Sequence, residues 1–133
     1  MNLSESQIQK TKIHQIMNDS IASVDSSISA TDAAKMMEET DVGAVIVLEH
    51  GSPVGIVTDR DFAIKITAHS FPLDTPIRRL MASPLISIDS DSDLWEASDL
   101  MSSRNVRKLP VIDDDKVVGI VTSGDIVKHI TKN

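Results

Sequence analysis

A strand with one wet face alternates apolar and polar residues. The stretch VGAVIVL at residues 42–48 does not alternate, so it reads as a strand covered on both faces. The turn EHGSP follows, and then a second apolar strand, VGIVT, at residues 54–58. Ahead of this pair, Ala33, Met36 and Met37 recur at helical spacing behind the N-cap signal Ser29-x-x-Asp32. A short extended piece at 21–24 precedes that helix, and a further helical pattern, DFAIKI, runs straight on from the second strand. The predicted order is β-α-β-β-α.

The order then returns. Residues 85–88 are extended, and Asp93-x-x-Glu96 opens a helix carrying Ala97, Leu100 and Met101. The more broken strand VRKLPVI, the turn DDDK, the strand VGIVT and the helix DIVKHI complete it. Gly55 and Gly119 stand 64 positions apart, and sliding the chain by that offset needs no gap. Met17 falls on Met81, Asp25 on Asp89, Ala33 on Ala97, Met37 on Met101, Val47 on Val111 and Asp61 on Asp125. Two copies in one register are a tandem duplication. The expected organisation is a polar tail at 1–10, one repeat at 11–71 and a second at 72–133. A copy of about 60 residues is marginal alone. The copies are therefore expected to pack sheet against sheet with pseudo-twofold symmetry, as an α+β fold of α/β-like character.

Composition narrows the function classes. Phe62, Phe71 and Trp95 are the only aromatics in 133 residues, so the core is aliphatic and a base-stacking platform is not expected. Twenty acidic against 13 basic residues give a net charge of −7, which argues against a nucleic-acid surface. The absence of Cys removes disulfides, thiolate catalysis and Cys-rich zinc sites. No apolar run reaches membrane-spanning length, and MNLSESQIQK lacks the apolar core of a signal peptide. The expectation is a soluble cytoplasmic protein. His14, His50, His69 and His129 form no HxxxH or HExxH pair, so no metal site is expected. The turn Asp113-Asp114-Asp115 lacks EF-hand spacing and reads as a solvated hairpin.

The motif GIVTxxD appears twice, at 55–61 and 119–125. Two compatible readings are open. In one, Thr58 with Asp61 and Thr122 with Asp125 are capping boxes, each Asp complementing its helix dipole. In the other, each strand-to-helix junction presents N–H groups, a hydroxyl and a carboxylate to a ligand. A carboxylate can accept from two vicinal ribose hydroxyls. The Gly lets the strand lie close to neighbouring backbone. There is no GxxxxGK[ST] and no GxGxxG.

Three segments now carry a family resemblance: MASPLISI at 81–88, VRKLPV at 106–111 and GIVTSGD at 119–125, each with its counterpart in the first copy. The chain resembles a tandem pair of CBS domains, the module named after cystathionine β-synthase. The resemblance implies a regulatory module binding AMP, ADP, ATP, S-adenosylmethionine or NAD in two clefts, with no further cofactor. It implies a homodimer formed through the helices and an effector carried by another chain. One implied cleft holds Thr58 and Asp61 with Leu85, Ile86, Arg107, Lys108 and Pro110, with Arg60 beside them. The other holds Thr122 and Asp125 with Ile21, Ala22, Gly43 and Ala44. Arg107 and Lys108 suit a phosphate, so the first cleft is expected to take a phosphorylated nucleotide and the second either to be empty or to take a less charged adenosyl compound. A structural dimerisation module with empty clefts is the alternative. No Ser-His-Asp pattern or ligand cluster supports an enzyme. Trp95 lies off the Ala97-Leu100-Met101 stripe and belongs either to the core edge or to an interface.

Overall fold

The computed structural model describes residues 10–131. Each repeat forms the predicted elements. In the first, β1 (Ser23–Asp25), α1 (Ala30–Thr40), β2 (Ala44–Glu49) and β3 (Ser52–Thr58) are followed by α2, a helical turn at Asp59–Asp61 that continues as a π-helix over Phe62–Ala68. In the second, β4 (Ile88–Asp89), α3 (Leu94–Arg104), β5 (Lys108–Asp113) and β6 (Lys116–Thr122) lead into a regular α-helix, α4 (Ser123–Thr131). The strand orders are β1-β2-β3 and β4-β5-β6. The first pair of each sheet is parallel and the second antiparallel.

The local causes repeat as well. Ser29 accepts from the Asp32 N–H (3.1 Å) and Asp93 from the Glu96 N–H (2.8 Å), so both helices start on the expected N-caps. They end at Asp41 and Asn105, each with φ of 54°, where the left-handed residue lets its N–H reach back to the last carbonyls. Both hairpins close through two residues of positive φ, His50-Gly51 and Asp114-Asp115, as a type I′ turn requires. The acidic turn is therefore a tight hairpin loop.

The compact units are not the repeats. One unit comprises residues 21–86; among the described residues, the other combines 87–131 with 10–20. In the unit of residues 21–86, Ile77 and Leu80 enter the core of Val24, Ala33, Met37, Val45, Val47 and Val57. The Ile77 N–H donates to Ile28 O (2.8 Å), and the Ala82 and Ile56 amides pair with each other's carbonyls along the free edge of β3. In the other unit Ile13 is fully buried, its N–H donates to Ser92 O (2.8 Å), and Asn18 pairs with Ile120 along β6. Thus the leading segment of each repeat completes the sheet edge and core of the unit that holds the other repeat's strands. The motif glycines follow from this. A Cβ on Gly55 would meet Ala82 O and Met81 Sδ at 2.7 Å; one on Gly119 would meet Met17 Sδ at 2.6 Å and Asn18 O at 2.9 Å. The expected close backbone approach is present at both positions.

Candidate functional site

Both Thr-x-x-Asp motifs sit where a strand turns into a helix, and both are half-buried. In the unit of residues 21–86, the Thr58 N–H donates to Asp61 Oδ2 (2.8 Å) and the Thr58 hydroxyl to the same oxygen (3.3 Å). In the other unit, the Thr122 N–H donates to Asp125 Oδ2 (2.9 Å), while the Asp125 N–H donates to Thr122 Oγ1 (3.1 Å). The second is a reciprocal capping box with Asp in the usual Glu position. The capping reading thus holds at both motifs, and in each the bonds to the carboxylate fall on Oδ2.

The sheets decide what stands beside each motif within its own unit. Ala44 is the register partner of Thr58, and the Asp59 N–H donates to Gly43 O (3.1 Å). Ile46 N–H donates to Ala22 O (2.9 Å), and Ile21 directly precedes Ala22 in the chain. Ile21, Ala22, Gly43, Ala44, Thr58 and Asp61 therefore gather at one end of this sheet. In the other unit Lys108 is the partner of Thr122, and the Ser123 N–H donates to Arg107 O (2.9 Å). Arg107 is exposed, Lys108 half-buried and Pro110 buried. Within the units, then, Arg107 and Lys108 accompany Thr122 and Asp125, and Gly43 and Ala44 accompany Thr58 and Asp61. Leu85 and Ile86, half-buried, close the span of the unit that holds Thr58. Arg60 is exposed in the first turn of α2, and Gly124 takes the equivalent place in α4.

The chemistry at each sheet end follows. One end has small, apolar walls and one exposed guanidinium. The other has an ammonium, Lys108, at the start of β5 opposite Thr122, and a guanidinium, Arg107, one residue before it. Among the described residues no group of three or more His, Asp or Glu side chains is placed to hold a metal ion. No described helix is long and apolar enough to cross a membrane. Sequence reasoning identified the motif residues, but not the pairing between neighbouring strands that assembles them, because that pairing depends on strand register.

The comparisons with known proteins agree with this architecture. The model of the CBS domain matches residues 13–67 and again residues 77–132. CBS domain-containing protein YhcV of Bacillus subtilis (strain 168) is 33% identical over 123 residues, which cover 92% of this chain and 88% of that protein. The crystal structure of an uncharacterized conserved protein from Pyrococcus horikoshii matches with a TM-score of 0.85 at 27% identity, over 94% of this chain and 96% of that one. A hexameric CBS-CP12 protein from bloom-forming cyanobacteria matches with a TM-score of 0.81 at 26% identity, over 88% of this chain and 69% of that one. With the fold, both motifs and the family model in accord, this chain belongs to the CBS domain family and carries two copies of the domain in tandem.

Proposed function

We propose that the protein is a regulatory module that binds an adenosine-containing ligand and signals through a partner, without catalysing a reaction. The observation that supports this most directly is the pair of Thr-x-x-Asp junctions. Each offers a half-buried carboxylate whose Oδ2 is tied to a backbone N–H, and the carboxylate's other oxygen is the atom that would accept from ribose hydroxyls. Gly43 and Ala44 are small residues beside Thr58 and suit the wall of a flat base. Arg107 and Lys108 supply cationic donors suited to a phosphate. A phosphorylated nucleotide is thus assigned to the side bearing Arg107 and Lys108, and a less charged adenosyl compound to the side bearing Gly43 and Ala44. The helices that begin at these junctions also carry apolar faces, and we propose that two copies pair through them. A ligand at a helix start would then bias the dimer between two arrangements by its differential affinity.

The test is thermal unfolding of stripped protein against AMP, ADP, ATP, S-adenosylmethionine, NAD and GTP. A ligand that binds only the folded state adds about 2.7 kcal/mol at a hundred times its Kd. Asp61→Asn and Asp125→Asn keep an acceptor for the capping bond and remove the charge. Loss of the ligand-dependent shift in one of them, with its unliganded midpoint little changed, assigns the occupied site. Arg107→Ala should weaken ATP more than adenosine. No shift with any ligand would leave a purely structural dimerisation module.

A further inference from the structure

The sequence has no Cys, so its sulfur chemistry belongs to six methionines. Their surroundings differ. Met37 and Met101, equivalent under the repeat offset, are buried on the core stripes of α1 and α3. Met17 and Met81, also equivalent, are half-buried and lie outside the helices and strands. Each rests on the motif glycine of its own unit. A Cβ on Gly55 would stand 2.7 Å from Met81 Sδ and 3.0 Å from Met81 Cγ; one on Gly119 would stand 2.6 Å from Met17 Sδ and 2.9 Å from Met17 Cγ. The thioether therefore fills the space that the glycine leaves open. Met81 also packs on the core that holds Val45, Val57 and Leu80. The next residue in each case carries the strand edge: Ala82 pairs with Ile56, and Asn18 with Ile120.

We propose that Met17 and Met81 are a matched pair of oxidation sites, at which a peroxide loosens the two strand edges. A sulfur lone pair attacks the peroxide O–O bond, which breaks as an S–O bond forms. The released hydroxide takes the proton from the new S–OH and leaves as water. The sulfur is oxidised by two electrons, the peroxide is reduced, and the product is methionine sulfoxide. A sulfoxide is polar, and an apolar seat over glycine and core offers it no hydrogen bond. The side chain turns to water, and the backbone pair beside it loses its cover. Strand β3 ends at Thr58 and β6 at Thr122, three residues beyond each glycine, so the loosening reaches both Thr-x-x-Asp junctions. The inference concerns the strand edges and stands whichever ligand the junctions bind.

The test treats the full chain with dilute hydrogen peroxide and follows each methionine by peptide mapping in a mass spectrometer. Met17 and Met81 should oxidise before Met37 and Met101. In the oxidised protein the Ile56 and Ile120 amides, which donate to Ala82 O and Asn18 O, should exchange hydrogen at least about tenfold faster, with the α1 and α3 amides unchanged. The unfolding midpoint should fall by about 5–10 °C and return after treatment with methionine sulfoxide reductases of both epimer specificities. Met81→Gln, polar without any oxidant, should speed exchange at Ile56 and not at Ile120. Met17→Leu combined with Met81→Leu should hold its midpoint through the same peroxide treatment. Oxidation of Met37 and Met101 at the same rate as Met17 and Met81 would overturn the selectivity. Unchanged Ile56 and Ile120 exchange in protein oxidised at Met17 and Met81 would overturn the loosening, and the reductase reversal on the natural sequence decides the matter even where a variant fails to fold.

Discussion

Replacing Gly55 by Ala tests the exchanged leading segment directly. An added Cβ would lie 2.7 Å from the carbonyl oxygen of Ala82, 2.7 Å from Met81 Sδ and 3.0 Å from Met81 Cγ. Carbon–oxygen contacts between strands normally settle at about 3.3–3.6 Å, so the segment must retreat by at least about half an ångström. The Met81 thioether can swing aside, but the Ala82 carbonyl cannot move without its backbone. That carbonyl accepts from the Ile56 N–H at 3.3 Å, and the Ala82 N–H donates to Ile56 O at 2.9 Å. The first bond is already long, so the shift removes it and weakens the second. Overpacking of this kind costs about 1–3 kcal/mol, and each lost bond about 1 kcal/mol. Against this, Ala gains about 0.5–1 kcal/mol over Gly in a strand. The expected net loss is about 2 kcal/mol.

At roughly 4 °C per kcal/mol for a domain of this size, Gly55→Ala should lower the unfolding midpoint by about 8 °C in a thermal melt followed by circular dichroism. Two further variants separate the cause from a general effect of Gly-to-Ala replacement. Gly124 stands in the first turn of α4, and its added Cβ would meet only Thr122 Oγ1, at 3.6 Å. Gly124→Ala should therefore raise the midpoint, since helix propensity favours Ala by about 1 kcal/mol. Met81→Ala combined with Gly55→Ala removes the sulfur contact but not the carbonyl contact, so the double variant should recover only part of the loss, measured as a non-additive coupling. Gly55→Ala with wild-type stability would refute the claim that residues 81–82 press on β3.

Other outcomes follow from single features. Asp115 holds φ of 62° in the β5–β6 hairpin, a region that glycine occupies without penalty, so Asp115→Gly should stabilise by about 0.5–1 kcal/mol in chemical denaturation; destabilisation would mean the aspartate side chain holds the turn. Thr122→Ala deletes the acceptor for the Asp125 N–H and should cost about 1 kcal/mol, checked by the same unfolding curves. The Asp25 carboxyl is held below its ordinary value by the hydroxyl of Ser27 and then by the Ser27 N–H, both donating to Oδ2. Its ionised form is favoured in the folded chain, so its stabilisation is present above the ordinary carboxylate value and is lost as pH falls through the lowered one. Ser27→Ala should raise the Asp25 midpoint in an NMR titration; an unchanged midpoint would rule out the Ser27 hydroxyl as the cause.

Most elements were legible because each carries a local cause. The unalternating run at 42–48 marked β2, and the caps at Ser29 and Asp93 marked the helix starts to within one residue. Three features were not legible. The chain at 85–88 is extended as expected, but only Ile88–Asp89 pairs in the sheet, since pairing depends on a partner and not on local pattern. The π-helix at Phe62–Ala68 has no counterpart in α4, although Phe62, Ala63 and Ile66 recur there as Ile126, Val127 and Ile130. Here the Phe71 N–H reaches back to Lys65 O (3.0 Å) and Lys65 Nζ donates to Leu80 O (2.7 Å), contacts that spacing alone does not encode. Trp95, open between core edge and interface on the sequence, is exposed and lies off the core.

The exchange of leading segments also explains why Gly, Thr and Asp travel together in both copies. A repeat that kept its own leading segment would need no glycine facing the other repeat's chain. With the exchange, Met81-Ala82 crosses β3 at Gly55, and Met17-Asn18 crosses β6 at Gly119. Three residues beyond each crossing, Thr58 or Thr122 ends the strand and opens the next helix. The crossing secures the strand edge, and the capping bond secures the helix start. The carboxylate between them is therefore held by two independent structural devices a few residues apart. This predicts that Gly119→Ala, though far from the Asp125 carboxylate in bonding terms, should lower ligand affinity as well as stability. Relaxing the crossing frees the end of β6 and misplaces the carboxylate that Thr122 holds at 2.9 Å. Titration below the unfolding midpoint of the variant separates the two effects. Unchanged affinity in folded Gly119→Ala protein would show that the capping bond alone positions Asp125.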